Sequence, residues 1–519
     1  MWSAKNGWRD EVFGRLDQEW DLVIVGGGIT GAGILAEAAR QGKRALLVEA
    51  RDFSSGTSSR STKLVHGGLR YLRQGQVQVT RESVIERERL LREAKGLVTP
   101  LGFYLTTFQN DDMPGWMFGA GLAIYDLIAR KWAHEKYATE ELLEKLPVLA
   151  GSPLKGGYHY FDAQTDDARL TVRVMREAVR RGGTALNYAR VVDMLRTEDG
   201  RVHGVVVRDE LTGRTREVKA PVTINATGVW ADDLRSKIGQ KPRLRAIRGS
   251  HLIFPRERLP ITEAISMLHP RDGRAVFALP WEGVVLFGTT DVDHGTDLET
   301  EPSITGSEVE YLFELARHAF PHVGLGERDV RATWAGVRGV INTGAADPAK
   351  ESREHALWNE EGLLTVTGGK LTTFRMMALQ TLKAVGMRGK REQILDQPED
   401  VELSESFDVA TRARLLGRYG VEAPALAASS KEEHAAISDS PALWCELRYC
   451  AREEGVVHLD DLLLRRVRIG LLLERGGAPL MQQIRAVVQP ELGWDDVTWA
   501  KEESRYREVW ARAYGTTFG

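Results

Sequence analysis

Asp21-Leu-Val-Ile-Val25 is a short apolar, β-branched run, the pattern of a strand buried on both faces. It leads into Gly26-Gly-Gly-Ile-Thr-Gly31, and Ala32–Gln41 then reads as a helix rich in small residues. Arg44-Ala-Leu-Leu-Val48 follows as a second strand ending at Glu49. Together they predict a βαβ unit of about thirty residues. Apolar Val84, Ile85, Leu90 and Leu91 spaced among charges predict a helix over Thr80–Glu93.

From about 150 to 365 the pattern shortens. Val202–Val207, Val222–Ala226, His251–Phe254, Ala275–Leu279 and Val284–Gly288 are β-type runs punctuated by Gly and Pro. A helix over Ala168–Arg181 precedes further strands at Thr184–Asn187 and Val191–Leu195. The last 120 or so residues change period, with helices expected at Leu443–Glu453, Leu459–Glu474, Leu480–Val488 and Trp494–Arg512. Gln397-Pro-Glu-Asp-Val-Glu402 marks a boundary between these regions.

The expected fold is therefore α/β. A Rossmann-type nucleotide-binding domain (about 18–95, 150–235 and 330–390) is interleaved with a β-rich mixed-sheet substrate domain (about 96–149 and 236–330). An all-helical C-terminal domain covers 401–519.

The chain has 519 residues, 42% hydrophobic and 28% charged, enough for a large core. Lys plus Arg number 70 against 73 Asp plus Glu, a net charge of -3 that lacks the basic footprint of a nucleic-acid binder. Two cysteines, Cys445 and Cys450, exclude a disulfide scaffold and a cysteine-rich metal site, and read as packing thiols in a reducing cytoplasm. The first twenty residues are too charged for a signal peptide. The longest uncharged runs, Leu22–Ala36 and Gly96–Asn110, are 15 residues each, short of the roughly 20 that span a bilayer. Met113–Tyr125 is apolar and bounded by Arg130 and Lys131, either a buried helix or one lying in a membrane interface. His318 and His322 have i,i+4 spacing, but Pro321 interrupts them and no glutamate completes a zinc motif.

In Gly26-x-Gly28-x-x-Gly31 the first glycine permits a tight turn and the second lets backbone approach a pyrophosphate. The third lets helix and strand pack closely. Glu49, 18 residues beyond Gly31, is placed to accept ribose hydroxyls, which disfavours NADP. Ile224-Asn-Ala-Thr-Gly228 has the style of the second pyrophosphate-facing loop of FAD enzymes. A helix starting in Thr367-Gly-Gly-Lys-Leu-Thr-Thr-Phe-Arg375 could stabilise negative charge on a reduced flavin, and Leu371 after Lys370 rules out a P-loop. Arg51–Arg73 carries Arg51, Arg60, Lys63, Arg70 and Arg73 against one acid, Asp52, interleaved with hydroxyls and His66-Gly67-Gly68. It predicts an anion site.

Gly26–Gly31, Thr57-Ser-Ser59, Lys63-Leu-Val-His-Gly-Gly-Leu-Arg-Tyr71, Gly288-Thr-Thr-Asp291 and Gly368-Gly-Lys-Leu-Thr-Thr373 closely resemble the FAD-dependent glycerol-3-phosphate dehydrogenases. These belong to the amino-acid-oxidase-like flavoproteins, and the resemblance covers essentially the whole chain, including Leu459-Asp-Asp-Leu-Leu-Leu-Arg-Arg466. It implies oxidation of sn-glycerol 3-phosphate to dihydroxyacetone phosphate, with hydride passing from C2 to FAD N5 and electrons leaving to a membrane quinone. It further implies a cytoplasmic protein held peripherally on the inner face of the cell membrane, with room for a homodimer. Arg70, Tyr71, Arg353 and Lys370 would hold the phosphate, and Arg338 would polarise the C2 oxygen. His251 and His66 are the alternatives for the base that takes the hydroxyl proton.

The implied cofactor shell is Gly26, Gly28, Gly31, Glu49, Thr57, Ser58, Ser59, Lys63, His66, Gly67, Gly68, Val191, Gly228, Gly369, Lys370, Leu371 and Thr372. The sequence departs from the family pattern at Gly339, where Pro is frequent after the arginine, and around Glu351-Ser-Arg-Glu-His355. The alternatives are an oxidase that passes electrons to oxygen, another amino-acid-oxidase-like flavoenzyme, and a non-catalytic nucleotide-binding regulator. The regulator predicts a degraded anion pocket, whereas Arg70, Arg338, Arg353 and Lys370 are all present.

Overall fold

The computed structural model describes residues 2, 7–68, 77–109, 111, 115–129, 133–295, 297–344, 351, 355–390, 392–396, 401 and 403–516. The βαβ unit forms as β1 (Leu22–Val25), α1 (Ile29–Arg40) and β2 (Ala45–Val48), both strands buried along their length. They sit in a six-stranded sheet ordered Ala356–Glu360, Leu363–Thr367, Thr223–Asn225, β1, β2, Thr184–Leu186. Every pairing is parallel except the outer hairpin of the first two strands. Apolar runs without alternation suit this placement, because helices cover the sheet. Asp167–Arg180 and Phe374–Ala384 pack against α1, and an antiparallel meander of Ala189–Arg196, Val202–Asp209 and Thr215–Lys219 stands beside them.

The second layer is a ten-stranded mixed sheet. Its centre holds Leu244–Pro255, Val284–Gly288, Ala275–Trp281, Ala264–Leu268, Val98–Phe108 and Leu154–Thr165 in that order. The helix Gly306–Ala319 closes one apolar cluster on this sheet through Leu312 and Phe313. The C-terminal helices close another, where Leu447, Leu463, Ile484 and Tyr506 meet Phe103, Trp281 and Trp334.

Two strands sit elsewhere than the sequence pattern implied. Leu154–Thr165 and Ala332–Ile341, expected on the nucleotide-binding side, belong to the large sheet. The first runs antiparallel along the whole of Val98–Phe108, and the second pairs residue for residue with Leu244–Pro255. Partners so distant in sequence leave no local signal, yet they satisfy the backbone of both long strands.

The single helix expected over Leu459–Glu474 is broken. A short turn at Leu459–Asp461 widens into a π-type turn over Leu462–Arg466, Arg468 takes a left-handed conformation (φ 67°), and Ile469–Leu472 resumes the helix. The cause is electrostatic, since three nearby arginines all point inward. Arg465 Nε and Arg466 Nη1 and Nη2 donate to the Asp52 carboxylate at 2.5, 2.8 and 2.7 Å. Arg465 also reaches Asp460 and Asp461, and Arg468 donates to the Ser59 carbonyl at 2.8 Å. A regular helix would turn one of the three away, and π-turns recur where function or strain demands such a widening. The seam continues through Arg418–Asp166 at 3.0 Å and Arg169–Glu454 at 2.6 Å, all of it buried. Cys445 and Cys450 are buried in Trp444–Glu453. No helix among the described residues is long and apolar enough to cross a membrane.

Burial alone would raise the Asp52 carboxyl, but Arg466 and Arg465 outweigh it and hold the group below its ordinary range. Replacing Arg466 by Met is expected to cost about 3–5 kcal/mol, because it strands part of a buried charge. Chemical denaturation checks this, and Asp52→Asn combined with Arg466→Met should cost less than the two single changes added. Burial also opposes ionisation of Asp166 and Asp460, yet Arg468 and Arg418 at the first and Arg465 and Arg505 at the second bring each to about 2. An unfolded Asp titrates near 3.9. The folded values lie lower, so this stabilisation is complete above about pH 4 and is lost as pH falls toward 2. Acid titration followed by tryptophan fluorescence should show the transition in that window.

Candidate functional site

A cavity of about 1600 Å³ runs between the layers, its wall drawn from both sheets. At one end lies the glycine turn. Gly26 has φ 116°, and a Cβ there would come 2.5 Å from the Ala226 carbonyl oxygen, where strand Thr223–Asn225 turns alongside. A Cβ on Gly31 would come 1.9 Å from the Gly26 oxygen, so this glycine serves packing and is not on the cavity wall. Gly28 caps α1, and Ser58 Oγ accepts the Ile29 N–H at 2.9 Å. The other N–H groups of the first turn lack helical acceptors, which makes this end an anion seat.

Glu49 lies on the same wall. It accepts the Gly27 N–H at 2.6 Å and the Arg51 N–H at 2.8 Å, which fixes its carboxylate beside the turn, and burial pushes its pKa up. Gly228 (φ 62°) and Val191 line the cavity on its far side.

The middle of the wall is built by two loops that hold each other. The His66 N–H donates to Thr372 Oγ1 at 3.2 Å, and that hydroxyl is 3.3 Å from the His66 carbonyl. Gly67 is tucked behind, its N–H given to Tyr125 Oη and Asp162 Oδ1, while Gly68 reaches the wall. Gly368 and Gly369 have φ of 74° and 80°, a reversal that carries Lys370, Leu371 and Thr372 into the wall just before the helix Phe374–Ala384. Lys370 Nζ donates to Ser83 Oγ at 3.3 Å.

The third part comes from the large sheet. His251 is 2% exposed and stacks on Trp334, ring centroids 4.6 Å apart and planes 14° from parallel. Its Nε2 lies 3.1 Å from Thr62 Oγ1, and Nδ1 is buried with no hydrogen-bond partner. Burial first, then Lys63 and Arg338, push the imidazole well below its usual pKa, so it is neutral at physiological pH. Arg338 Nη2 meets Asp291 Oδ1 at 3.1 Å. Gly249 and Gly288 leave the room, since a Cβ on the first would come 2.9 Å from Arg338 Nη2 and one on the second 2.5 Å from His251 Cδ2. At Gly339, where the family pattern favours Pro, an added Cβ would come 3.1 Å from the Val229 Cα.

The structure thus brings Gly26, Gly28, Glu49, Thr57, Ser58, His66, Gly68, Val191, Gly228, His251, Arg338, Gly369, Lys370, Leu371 and Thr372 to one cavity. Gly31, Ser59, Lys63 and Gly67 stand behind its wall. Arg70, Tyr71 and Arg353 lie outside the described residues. The local excess of positive charge over Arg51–Arg73 needs correction at its described cations, because acids distant in sequence pair with Arg51, Arg60 and Lys63, while Arg73, like Arg70, lies outside the described residues. Arg51 pairs with Glu299 at 3.2 Å, Arg60 pairs with Glu301, and Lys63 pairs with Asp167 at 2.7 Å. Sequence reasoning also missed Arg274, which lines the cavity and donates to the Asp291 carbonyl at 2.7 Å, and the Trp334 platform. Trp334 lies four residues before Arg338 in Trp334-Ala-Gly-Val-Arg338, whereas Arg274 carries no motif. His318 packs edge-on against Phe108, and no group of three metal-binding side chains occurs among the described residues.

The model of the FAD dependent oxidoreductase family matches residues 21–379, and that of the C-terminal domain of alpha-glycerophosphate oxidase matches 372–498. An aerobic glycerol-3-phosphate dehydrogenase of Staphylococcus haemolyticus is 36% identical over 490 residues, covering 87% of each chain. The crystal structure of the glycerol-3-phosphate dehydrogenase from Bacillus halodurans complexed with FAD superposes with a TM-score of 0.79 at 29% identity, over 99% of this chain and 98% of that one. A dithionite-reduced L-alpha-glycerophosphate oxidase from Mycoplasma pneumoniae shares the fold at 17% identity (TM-score 0.57, 72% of this chain and 97% of that one). The glycine turn, the Glu49 carboxylate and a cavity of this size suit FAD, as in the related structures solved with it. The chain belongs to the FAD-dependent oxidoreductases, on the branch of the glycerol-3-phosphate dehydrogenases.

Proposed function

We propose that this protein oxidises sn-glycerol 3-phosphate to dihydroxyacetone phosphate and passes the electrons to a membrane quinone. The observation that carries the reading is the single cavity that holds both the dinucleotide cradle and His66, His251, Arg338 and Lys370. FAD, when bound, supplies the acceptor for the C2 hydride. The chain's own residues do the rest. Gly26, Gly28 and the start of α1 take the pyrophosphate, and Glu49 takes the ribose.

Lys370, with Arg70, Tyr71 and Arg353 by family resemblance, seats the substrate phosphate, where several charge-assisted contacts are required. Arg338, held by Asp291, polarises the C2 oxygen as it becomes a carbonyl. His251, on the cavity wall with Thr62 holding its Nε2, takes the hydroxyl proton. His66 is the second candidate base, favoured by its partial exposure on the cavity wall.

The membrane side of the reading rests on a patch. Val77 and Ile85, Met117, Ile124 and Leu127, and Phe161 are exposed large apolar side chains on three mutually packed elements, Val77–Glu93, Gly115–Ala129 and Leu154–Thr165. Exposed apolar side chains gathered on neighbouring elements are costly in water and suit the interface of a bilayer. The same helix, Gly115–Ala129, turns Met117, Phe118 and Ile124 to the cavity, which brings the redox centre close to the patch.

Anaerobic mixing of the FAD-loaded protein with glycerol 3-phosphate should bleach the flavin absorbance. Bleaching by an amino acid but not by glycerol 3-phosphate would overturn the substrate. Reoxidation by a quinone analogue faster than by air supports the dehydrogenase, and the reverse order makes it an oxidase. His251→Asn should slow bleaching by about 10²–10⁴-fold, and a loss of that size with His66→Asn instead would move the base to His66. Val77→Glu with Leu127→Glu should cut co-sedimentation with phosphatidylcholine–phosphatidylglycerol vesicles by on the order of tenfold. Bleaching should be unchanged. Equal co-sedimentation would remove the patch from the membrane contact.

A further inference from the structure

Lys63 sits in a motif that resembles a cofactor shell, yet its side chain is 1% exposed and absent from the cavity wall. Its ammonium donates to the Ser59 carbonyl at 2.6 Å and to both Asp167 oxygens at 2.7 and 2.9 Å. It also lies 4.9 Å from the centre of the Trp334 indole and 5.6 Å from that of Trp281. Trp334 is the ring on which His251 stacks, at 4.6 Å. The shared indole therefore keeps the ammonium within about 10 Å of the imidazole, through protein and not through water.

We propose that Lys63 is a positioning residue for His251, a buried cation that acts across the Trp334 platform to keep the imidazole unprotonated and ready to accept the substrate proton. The inference rests on the reading of His251 as the base. Three features support it. The groups that face the imidazole are Lys63, Arg338, the Thr62 hydroxyl and the Trp334 face, and no carboxylate among the described residues bonds it. The groups that face Lys63 are Asp167 and Asp166 and, against them, Arg468 from the C-terminal module. Burial and Arg468 bring the ammonium down to about 7, still above the range in which the imidazole titrates, so Lys63 is charged whenever His251 could gain a proton. Finally, Asp167 does not depend on Lys63 alone. It also accepts from Ser61 N and Oγ at 2.8 and 2.7 Å and from the Ala168 N–H at 2.9 Å, and Arg468 stands 3.5 Å away. The pair is thus more than a fold-stabilising ion pair, because its ammonium lies over the Trp334 indole on which His251 stacks.

The sign follows from the pairing. A cation beside an imidazole disfavours imidazolium, so removing it raises the pKa of the base and moves the acid limb of the rate profile to higher pH. At this separation and a protein-like dielectric the shift is on the order of one pH unit.

The test uses FAD-loaded protein and follows anaerobic flavin bleaching by glycerol 3-phosphate between about pH 5 and pH 9. Lys63→Met should raise the acid-limb pKa by about one unit, and Lys63→Arg, which keeps the charge, should leave it in place. Lys63→Met with Asp167→Asn removes both poles and leaves no unpaired carboxylate should the single variant fail to fold, and it should shift the limb in the same direction by a measurable fraction of a unit, because the carboxylate removed with the cation offsets part of its effect. An unmoved limb in the folded double variant overturns the proposal while His251 remains the base. An acid limb that survives His251→Asn overturns the assignment of the base, and with it the role given to Lys63.

Discussion

A carboxylate taken out of water must be surrounded by donors and cations, and Asp52 meets that demand from more than four hundred residues away. Its partners, Arg465 and Arg466, belong to the helical C-terminal module, while Asp52 opens the loop that leads from β2 to the wall residues Thr57 and Ser58. The desolvation cost of such a group is several kcal/mol, and the interior returns it only if the geometry is complete. Module and loop therefore form as one unit. Arg468 repeats the device seven residues further along the same loop by bonding the Ser59 carbonyl. The broken helix at Leu462–Arg466 is the local consequence of this requirement.

Much of the nucleotide-binding half was legible because its signals are local. Strand, glycine turn, helix, strand and terminal acid follow one another within about thirty residues, and the structure places them as the pattern implies. The same holds for Gly368-Gly369-Lys370, whose left-handed backbone is announced by the two glycines. What escaped was non-local. Leu154–Thr165 and Ala332–Ile341 were assigned to the wrong layer because a strand's partner is not written in its own sequence. The charges of Arg51, Arg60 and Lys63 looked uncompensated for the same reason, since Glu299, Glu301 and Asp167 arrive from elsewhere in the chain. Lys63 was read as a cofactor contact from its motif, and only the fold shows it facing inward. Arg70, Tyr71 and Arg353 lie outside the described residues, so the phosphate end rests on Lys370 and on resemblance.

Glycines at the site do two different jobs, and geometry separates them. Gly26 and Gly369 occupy backbone conformations that other residues adopt at a cost. Gly249 and Gly288 have no such need, and they are small because the Arg338 guanidinium and the His251 ring fill the space a side chain would take. The second pair makes room for Arg338 and His251 at one part of the cavity, and the first shapes the backbone turns at another.

Charge in this protein is partitioned by what stands behind each cation. Arg338 and Lys370 reach the cavity, where a substrate anion can meet them. Lys63 and Arg468 do not, and their charge is shared with Asp166 and Asp167. Compensation by a carboxylate cancels a charge only at distances large against the ion-pair length. The ammonium is 4.9 Å from the Trp334 indole on which His251 stacks, so at the imidazole, within about 10 Å, the carboxylate offsets its charge only in part. A buried pair that adds nothing to the net charge of -3 can therefore still bias the protonation of a neighbouring imidazole, here a histidine 2% exposed and faced by Lys63 and Arg338. The ion-pair seam, which as a stabilising element could be replaced by apolar packing, has in this arrangement a second role that apolar packing could not fill.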